Sequence, residues 1–256
     1  MLIHAADLHF GYTPARRVID DVSIDVAEGA AIGILGPNGS GKTTLMRLLS
    51  GGLKPQTGVV QLDGVDVRSL RPMVLARRVA VVPQETSLAF DYTALEIVLM
   101  GRYPHLGAFE VEGPHDLAVA EAALESTGTR ALAERPFRSL SGGEKQRVII
   151  ASALAQTANG HGAGLLLLDE PTASLDLRYQ LEIGALVTKL RQERGVTVVL
   201  STHDLHFAAS VCSEIALLGS GRILARGTPA EILTPAAVGA LYGIDPAVVT
   251  PFIVRR

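Results

Sequence analysis

The stretch that decides the fold is residues 30–44, which read AAIGILGPNGSGKTT. It begins with an apolar run that is short enough to be a buried β-strand and that ends at Leu35. A loop rich in glycine follows, and from Lys42 onward the apolar residues recur at helical spacing. This stretch therefore predicts a strand, a glycine-rich loop and a helix in direct succession.

The loop fits the pattern G-x-x-x-x-G-K-[ST], with Gly36 and Gly41 as its glycines, followed by Lys42 and Thr43. Glycine lets backbone N–H groups curl around phosphate oxygens, and the N-terminus of the next helix adds a favourable dipole. In such a loop the lysine reaches the β- and γ-phosphates, and the hydroxyl of Thr43 holds Mg²⁺. A glycine turn without a ligand is the simpler alternative. The residues predicted to surround the phosphates of a nucleotide are Gly36, Pro37, Asn38, Gly39, Ser40, Gly41, Lys42, Thr43 and Thr44.

Composition indicates a folded protein that does not bind nucleic acid. Of the 256 residues, 48% are hydrophobic and 19% are charged, which excludes a disordered chain. The mean hydropathy of +0.30 fits strands buried on both faces, or a surface that meets a partner. The formal charge is −3 and no basic run is longer than a pair, so we expect no nucleic-acid partner. The single cysteine, Cys212, excludes an internal disulfide and is expected to be buried.

The sequence contains no pattern typical of a membrane span or a signal peptide. Its apolar runs are well short of the roughly 18–20 residues that cross a bilayer. Residues 1–7 lack a basic stretch followed by an apolar one, so we expect no signal peptide and a position on the cytoplasmic side.

The distribution of strand and helix patterns predicts an α/β fold with a helical insertion. Short apolar or alternating runs predict strands over residues 3–12, 18–26, 59–62, 65–67, 79–82, 165–168, 196–202, 215–218 and 222–226. Helical spacing or capping boxes predict helices over residues 93–100, 116–126 and 177–194 and after residues 141 and 228. Asp63-Gly64 predicts a tight hairpin turn. The strand–helix–strand succession over residues 165–202 is a crossover, so its two strands are expected to be parallel.

Two carboxylates follow the apolar run 165–168, at the end of a predicted strand. Asp169 is placed to hold Mg²⁺ directly or through water, and Glu170 to accept a proton from an attacking water. A solvated acidic turn is the alternative. In a chain that also has a phosphate-binding loop, this pair predicts hydrolysis of the bound nucleotide.

His203 ends the strand predicted over residues 196–202, where an imidazole can hydrogen-bond a γ-phosphate or orient the attacking water. Packing or capping is the alternative role of such a residue. His206 lies one helical turn further on, but no third ligand with suitable spacing is present, so metal binding by this pair is rejected.

Residues 140–144 read LSGGE and open a predicted helix. Ser141 and Glu144 form a capping box, which is worth about 1 kcal/mol of helix stability. The capping box does not explain Gly142 and Gly143, because each glycine costs a helix about 1 kcal/mol relative to alanine. Two bare amides at the positive end of a helix predict a second anion site.

In this order the motifs resemble those of the ATP-binding cassette (ABC) ATPases, and the resemblance covers essentially the whole chain. Residues 36–43 resemble the Walker A motif of the family, and residues 165–170 its Walker B motif. Gln84 matches the Q-loop and His203 the switch histidine. The signature is matched by Leu140, Ser141, Gly142, Gly143 and Glu144, and the D-loop by Ser174, Leu175 and Asp176. Glu144 departs from the glutamine that the family usually has at this place.

The resemblance implies a role for each of these residues, with ATP and Mg²⁺ as cofactors. Glu170 is the general base, His203 contacts the γ-phosphate, and Gln84 senses Mg²⁺ and the attached membrane domain. The implied Mg²⁺ ligands are Thr43, Gln84 and Asp169. Tyr12 would stack on adenine, unless it is simply a surface aromatic at a strand end.

The fold that the resemblance implies is a single nucleotide-binding domain over residues 1–256. It has a P-loop NTPase (RecA-like) core with a mainly parallel sheet, an N-terminal antiparallel β subdomain and an inserted α-helical subdomain that carries the signature. We expect the core at about residues 1–86 and 160–232, the helical subdomain at about 87–159 and a helical tail at about 233–256.

The resemblance also implies partners. Members of the family work as dimers, with each ATP between the Walker A motif of one subunit and residues 141–143 of the other, so we expect a homodimer. Transport requires two separate transmembrane permease subunits, and residues 84–106 would form the surface on which they dock. A periplasmic or surface substrate-binding protein would take part indirectly. The chain is then a peripheral protein on the cytoplasmic face of the cell membrane.

Residues 100–105 (MGRYPH) and 227–233 (GTPAEIL) resemble the ATPases of importers for iron-siderophores, haem and vitamin B12. The expected function is ATP hydrolysis that energises uptake of a metal chelate. The alternative is a soluble ABC ATPase outside transport, such as one for iron–sulfur cluster assembly. A DNA-repair member would carry a long coiled-coil insertion and a GTPase an N-K-x-D motif, and the sequence has neither.

Overall fold

The computed structural model describes residues 1–13, 16–86, 90–158, 164–173 and 175–253. Its strands are β1 (Ile3–Phe10), β2 (Ile19–Val26), β3 (Ala31–Leu35), β4 (Thr57–Leu62), β5 (Val65–Asp66), β6 (Val79–Val82), β7 (Leu165–Asp169), β8 (Thr197–Thr202), β9 (Glu214–Gly219) and β10 (Arg222–Gly227). Its α-helices are α1 (Lys42–Leu49), α2 (Pro72–Ala76), α3 (Ala94–Met100), α4 (Pro114–Ser126), α5 (Gly142–Thr157), α6 (Leu177–Arg194), α7 (Leu205–Val211), α8 (Pro229–Ile232), α9 (Pro235–Tyr242) and α10 (Pro246–Val249). The chain divides into two compact units, one formed by Met1–Ser69 with Val199–Arg256 and the other by Leu70–Val198.

The first unit contains an antiparallel sheet with the strand order β2-β1-β4-β5. Buried and more exposed residues alternate along β1 and β2, as the sequence pattern predicts for strands with one face on the core. The predicted hairpin is confirmed, because Leu62 pairs with Val65 across a turn in which Asp63 and Gly64 have φ values of 49° and 78°. Positive φ at both central residues is typical of the tight turns that join twisted strands.

The strand that leads into the glycine-rich loop, β3, belongs to the same unit and is buried along its whole length. It pairs with β9 in parallel, and β9 pairs with β10 in the antiparallel hairpin that the sequence predicts. A Cβ on Gly33 would lie 3.0 Å from the Sγ of Cys212, so glycine here leaves room for the cysteine. Cys212 is 6% exposed, which confirms the expectation that it packs as a small buried residue.

In the second unit, β6 and β7 form a parallel pair whose register runs from Val79 opposite Leu165 to Val82 opposite Leu168. The predicted helices are confirmed as α3, α4 and α5, and each of them buries apolar side chains. Thr93 caps α3 with a hydroxyl that accepts from the N–H of Glu96 (3.2 Å).

A buried arginine fastens the C-terminal end of α5. Arg102 is 2% exposed, and its Nε donates to Asp116 Oδ1 in α4 (2.9 Å). Its Nη1 donates to the carbonyls of Ala155 (2.6 Å) and Ala158 (3.0 Å), which are acceptors that the end of a helix leaves without intrahelical partners. Arg102 therefore caps α5, and it is not available to the permease surface that the sequence predicts around it.

After β10 the structure has three short helices, α8, α9 and α10, in the region where the sequence predicts a helix opening after residue 228 and a helical tail. The capping box of Thr228 and Glu231 is present, but α8 ends at Ile232. Pro235 begins α9 and Pro246 begins α10, because proline fits the first turn of a helix and cannot continue a preceding one. Among the helices of the described ranges, none has the length and apolarity that crossing a bilayer demands.

Candidate nucleotide site

The glycine-rich loop joins β3 to α1 as predicted, and the lysine lies inside it. Lys42 is 5% exposed, and its Nζ donates to the carbonyls of Gly36 (2.9 Å) and Pro37 (3.2 Å). Gly36 in turn donates its N–H to the carbonyl of Thr202 at the end of β8 (3.3 Å). The ammonium group is thus held at the centre of the loop, where it can attract a phosphate.

Each glycine of the loop is required for a different physical reason. A Cβ on Gly36 would lie 2.2 Å from the carbonyl oxygen of Leu218, which no side chain tolerates. Gly41 has a φ of 107°, and a Cβ there would lie 2.9 Å from the carbonyl oxygen of Val18. Gly39 has a φ of 81° and nothing within 4 Å of its Cβ direction, so this glycine is required by conformation alone.

The residues of the loop fit an anionic phosphate. Ser40 is 4% exposed, and its Oγ has no hydrogen-bond partner among the described residues. Leaving a buried hydroxyl without a partner costs about 1–3 kcal/mol, which a phosphate oxygen accepting from it would recover. The first turn of α1 contains no acidic side chain that would compete with a phosphate for the helix N-terminus. Thr43 is exposed in that turn and can offer its hydroxyl to a Mg²⁺ ion that accompanies the nucleotide.

The turn between β9 and β10 packs against the back of the loop. The N–H of Gly221 donates to the carbonyl of Ser40 (3.1 Å), and the N–H of Asp20 donates to the carbonyl of Gly221 (2.9 Å). Gly221 has a φ of 78°, and a Cβ on it would lie 2.4 Å from the carbonyl oxygen of Val18. The sequence indicates only a hairpin turn at residues 219–221, so this support for the loop was not predicted.

An ionic cluster fixes that turn to β2. The carboxylate of Asp20 accepts from Arg17 (2.6 Å), from Arg222 at the start of β10, and from His9 of β1 (3.0 Å). The hydrogen bonds from Arg17 and then Arg222 lower the pKa of Asp20 to about 2. Asp20 is therefore ionised at any physiological pH.

Tyr12 lies beside the first turn of α1. Its hydroxyl is 3.3 Å from Thr44 Oγ1, and its ring packs edge-on against Phe10 at 5.0 Å between centroids. The residue is 58% exposed, so the remainder of the ring is open to a flat ligand. This placement is compatible with the predicted stacking on adenine.

The two carboxylates lie at the end of β7, in the second unit. Asp169 is 7% exposed and is the last residue of the strand. Glu170 follows with a φ of 46°, a left-handed conformation that is uncommon outside glycine and that clusters at functional sites. Its carbonyl accepts from the N–H of Ala173 (3.0 Å), which closes the turn that follows the strand.

Gln84, the predicted Mg²⁺ ligand, and His203, the predicted contact of the γ-phosphate, are exposed residues that follow strands. Gln84 lies two residues after the end of β6. His203 follows β8, and its carbonyl accepts from the hydroxyl of Tyr242 (3.2 Å). Asp204 caps α7 by accepting from the N–H of His206 (2.8 Å). Among the described residues, no group of three or more His, Cys, Asp or Glu side chains is placed to hold a metal ion.

The predicted capping box at the start of α5 is confirmed. The N–H of Glu144 donates to Ser141 Oγ (3.3 Å), and the N–H of Ser141 donates to Glu144 Oε2 (2.8 Å). The hydrogen bonds from the backbone and then the side chain of Ser141 lower the pKa of Glu144. Leu140 is 4% exposed, and of the two glycines that follow, Gly142 is exposed and Gly143 is buried. The ionised Glu144 therefore performs the capping role, whereas glutamine is usual there.

The predicted D-loop leads into α6. Ser174 lies outside the described residues. Asp176 is the N-cap of α6, since its Oδ1 accepts from the N–H of Tyr179 (3.1 Å). A Cβ on Gly142 would lie 3.1 Å from Leu175 Cδ2, which brings the D-loop and the signature together in the second unit.

Comparison with known proteins identifies the family of the chain. The profile of the ABC transporter family matches residues 19–173. The cobalamin import ATP-binding protein BtuD of Halobacterium salinarum is 41% identical over 237 residues, which are 90% of this chain. This chain spans 58% of the length of that relative. The hemin import ATP-binding protein HmuV of Myxococcus xanthus is 41% identical over 235 residues, which are 91% of this chain and 87% of that protein.

Solved structures agree with this assignment. A metal-chelate type ABC transporter in an inward-facing conformation matches with a TM-score of 0.82 and 33% identity, over 94% of this chain and 89% of that chain. A dimeric bacterial ABC transporter cassette matches with a TM-score of 0.75 and 28% identity, over 89% of this chain and 99% of that chain. The predicted α/β fold is thereby confirmed as that of the P-loop ATPases. The chain belongs to the ABC transporter family.

Proposed function

We propose that this chain is the ATP-binding and hydrolysing subunit of an importer, which takes up a metal chelate through separate permease subunits. The observation that carries the proposal is the phosphate loop, with buried Lys42 at its centre and a buried hydroxyl, Ser40 Oγ, that has no partner among the described residues. Import, and an iron-siderophore, haem or cobalamin as the substrate, are supported by relatives that are named for cobalamin and hemin import.

The loop is proposed to hold the triphosphate. Lys42 and the N–H groups at the start of α1 bind the β- and γ-phosphates, and the exposed ring of Tyr12 stacks on adenine. Thr43, Gln84 and Asp169 are the proposed ligands of Mg²⁺, which neutralises charge on the phosphates when it is bound. Oxygen donors of this kind suit that ion.

Glu170 is the proposed general base, and it accepts the proton of the attacking water. Its left-handed backbone conformation is supported by the turn that follows β7, and this favours a side chain held for a function over an ordinary solvated turn. We propose that His203 contacts the γ-phosphate; its backbone is held by Tyr242.

The working unit is proposed to be a homodimer. Gly142 is exposed at the N-terminus of the 16-residue helix α5, where bare amides and the helix dipole favour an anion. We propose that this end of α5 binds the ATP held by a second copy. The dimeric cassette with a similar fold supports the proposal.

The partners proposed for the dimer are two transmembrane permease subunits, and a periplasmic or surface binding protein acts through them. The chain would then lie on the cytoplasmic face of the membrane. Exposed apolar side chains in the second unit, such as Met73 and Tyr103, offer contacts for a permease. A soluble ABC ATPase for cluster assembly is the less favoured alternative, because the relatives compared above are import proteins.

Nucleotide binding tests the phosphate loop directly. Titration with a fluorescent ATP analogue should give saturable binding to the wild-type chain and a loss of at least tenfold in affinity for Lys42→Ala. The matched control is Lys54→Ala, because Lys54 is an exposed lysine outside the loop, and this variant should bind like the wild type. Equal affinity of all three proteins would contradict the proposed site.

Co-purification tests the transport partners. When the chain is expressed with the genes that neighbour its own, a tagged copy should retain multi-spanning membrane subunits, and their substrate should stimulate ATP hydrolysis. Recovery of a soluble scaffold complex in their place would support the cluster-assembly alternative and overturn the importer.

A further inference from the structure

The N-terminal turns of α5 and α6 lie against each other in the second unit. A Cβ built on Gly143 would lie 2.2, 2.6 and 2.9 Å from Cδ1, Cγ and Cε1 of Tyr179. Real Cβ atoms essentially never come within 3.0 Å of another heavy atom. Gly143 therefore has no room for any side chain, and the obstacle is an aromatic ring of the same chain.

The neighbouring glycine differs in this respect. A Cβ on Gly142 would meet a single atom within 4 Å, Leu175 Cδ2 at 3.1 Å, which is the far end of a flexible side chain. The ring of Tyr179 has less freedom, because Cγ is one bond away from Cβ and moves only if χ1 leaves its well or the helices separate. The two glycines of the motif are thus constrained by different amounts.

The backbone of Tyr179 is held at the start of α6. Its N–H is the one that donates to the N-cap residue of α6, Asp176 (3.1 Å). One turn beyond Gly143, Arg147 of α5 forms an ion pair with Glu182 of α6, which also accepts from Arg178 (3.0 Å). Residues three or four apart lie on one face of a helix. The glycine–ring contact and the ion pair therefore lie on the same face of each helix, and both join α5 to α6.

From this geometry we propose that Tyr179 is a positioning residue for the signature motif. Its ring packs against Gly143 and thereby positions the first turn of α5. The amides of this turn bind the ATP of the second copy. The requirement for glycine at position 143 then arises from Tyr179 of the same chain, in addition to any approach of the nucleotide. The catalytic part of this inference rests on the proposed function, whereas the packing part does not.

Thermal unfolding of six proteins tests the packing part without any assay of ATP; they are the wild type, Gly143→Ala and Gly142→Ala, each with and without Tyr179→Ala. Gly143→Ala should lower the melting temperature by roughly 3–10 °C, since the new methyl group has to push the ring or the helix away. In a Tyr179→Ala background the same change should cost nothing or raise the melting temperature, because alanine is the better helix former once the ring is gone. Gly142→Ala is the matched control and should shift the melting temperature by about 4 °C at most, and by the same amount in both backgrounds.

A loss of melting temperature that disappears or changes sign in the Tyr179→Ala background supports the proposal. An equal loss with and without the ring would overturn it, because the cost would then lie in the glycine itself. If Gly143→Ala fails to fold while the double variant folds, the ring is again identified as the obstacle. If both fail to fold, the ring is not the obstacle and the proposal is overturned.

Steady-state kinetics test the positioning role. Tyr179→Ala should retain the ATP affinity of the separate chain within about twofold, because the residue is not part of the phosphate loop. Its turnover number should fall by about tenfold, because the first turn of α5 loses the ring that holds it in position. Tyr179→Phe keeps the ring and should have the turnover number of the wild type. If the hydroxyl group were the part that acts, this variant would be as slow as Tyr179→Ala.

The proposed function and the contact between Gly143 and Tyr179 can be contradicted separately. Absence of ATP hydrolysis in the wild-type protein would defeat the proposed function, and the melting temperatures would still decide the contact between Gly143 and Tyr179. Wild-type turnover by Tyr179→Ala would overturn the positioning role, while the proposed function would stand.

Discussion

Two glycines of the first unit share one backbone conformation and differ only in what surrounds them. Gly221 and Gly64 both have a φ of 78°, and both lie in hairpin turns. A Cβ on Gly64 has nothing within 4 Å, whereas a Cβ on Gly221 would lie 2.4 Å from the carbonyl oxygen of Val18. Alanine at the two positions therefore separates the cost of a left-handed residue from the cost of disturbing the support of the phosphate loop.

The magnitudes follow from these distances. Gly64→Ala should cost about 1–2 kcal/mol, which is the penalty for a side chain in the left-handed region. Gly221→Ala carries the same penalty and about 1–3 kcal/mol more, because a backbone atom has to move to admit the methyl group. At about 2–4 °C per kcal/mol, the two variants should differ in melting temperature by roughly 2–12 °C.

The variants should differ in ATP affinity as well. The N–H of Gly221 donates to Ser40 in the loop (3.1 Å), and a hydrogen bond of this kind is worth about 1 kcal/mol. Displacing the turn should therefore weaken ATP binding by Gly221→Ala about fivefold and leave Gly64→Ala unchanged. Differential scanning fluorimetry and titration with a fluorescent ATP analogue measure the two effects. Indistinguishable melting temperatures and affinities would refute the view that this turn supports the loop.

Three further predictions address single residues. Ser40→Ala removes the buried hydroxyl that has no partner within the described residues. It should therefore raise the stability of the ATP-free chain by about 1 kcal/mol and reduce the stabilisation that ATP provides. A urea titration measures both effects, and a lower stability of the variant without ATP would contradict this prediction. Asp20, with its pKa lowered from 3.8 to about 2, binds fewer protons in the folded than in the unfolded chain, so its contribution is present above about pH 4 and is lost as the pH falls towards 2. Asp20→Asn should accordingly flatten the fall in melting temperature over that interval, and an unchanged pH profile would exclude the role of the cluster. Arg102→Met should cost about 3–5 kcal/mol because it leaves the carboxylate of Asp116 buried without its arginine; a second change, Asp116→Leu, should restore the part of the loss that the lone carboxylate causes, but not the part due to the uncapped carbonyls of α5, in the same urea titration.

Local patterns of sequence predicted most of the fold. The strand, loop and helix over residues 30–44, the turn at Asp63-Gly64 and the capping box of Ser141 with Glu144 each depend on residues that are close in the chain. The interval of residues in which helices replace strands was also predicted, because hydrophobic spacing changes there. The sequence pattern gives no end for the helix that opens after residue 228; the structure ends α8 at Ile232, and Pro235 begins the next helix.

Contacts between distant residues could not be predicted in this way. Gly221 supports Ser40, and Tyr179 lies on Gly143, across long intervals of chain that no local period encodes. Arg102 illustrates the same limit, since its sequence neighbours suggest a surface turn, whereas the fold buries it against the end of α5. The available sign of such contacts in the sequence is a glycine at a position where the helix or loop itself does not require one, because it indicates that another group packs closely there.

The central claim is that ATP joins two copies of this chain, and light scattering tests it most directly. In the variant Glu170→Gln, ATP should bind and remain unhydrolysed, because the proposed base is absent. The account predicts that the mass of this variant doubles from 27.0 kDa when ATP and Mg²⁺ are added, and that adding Lys42→Ala to it abolishes the increase. A mass that stays at 27.0 kDa with saturating ATP bound would contradict the account.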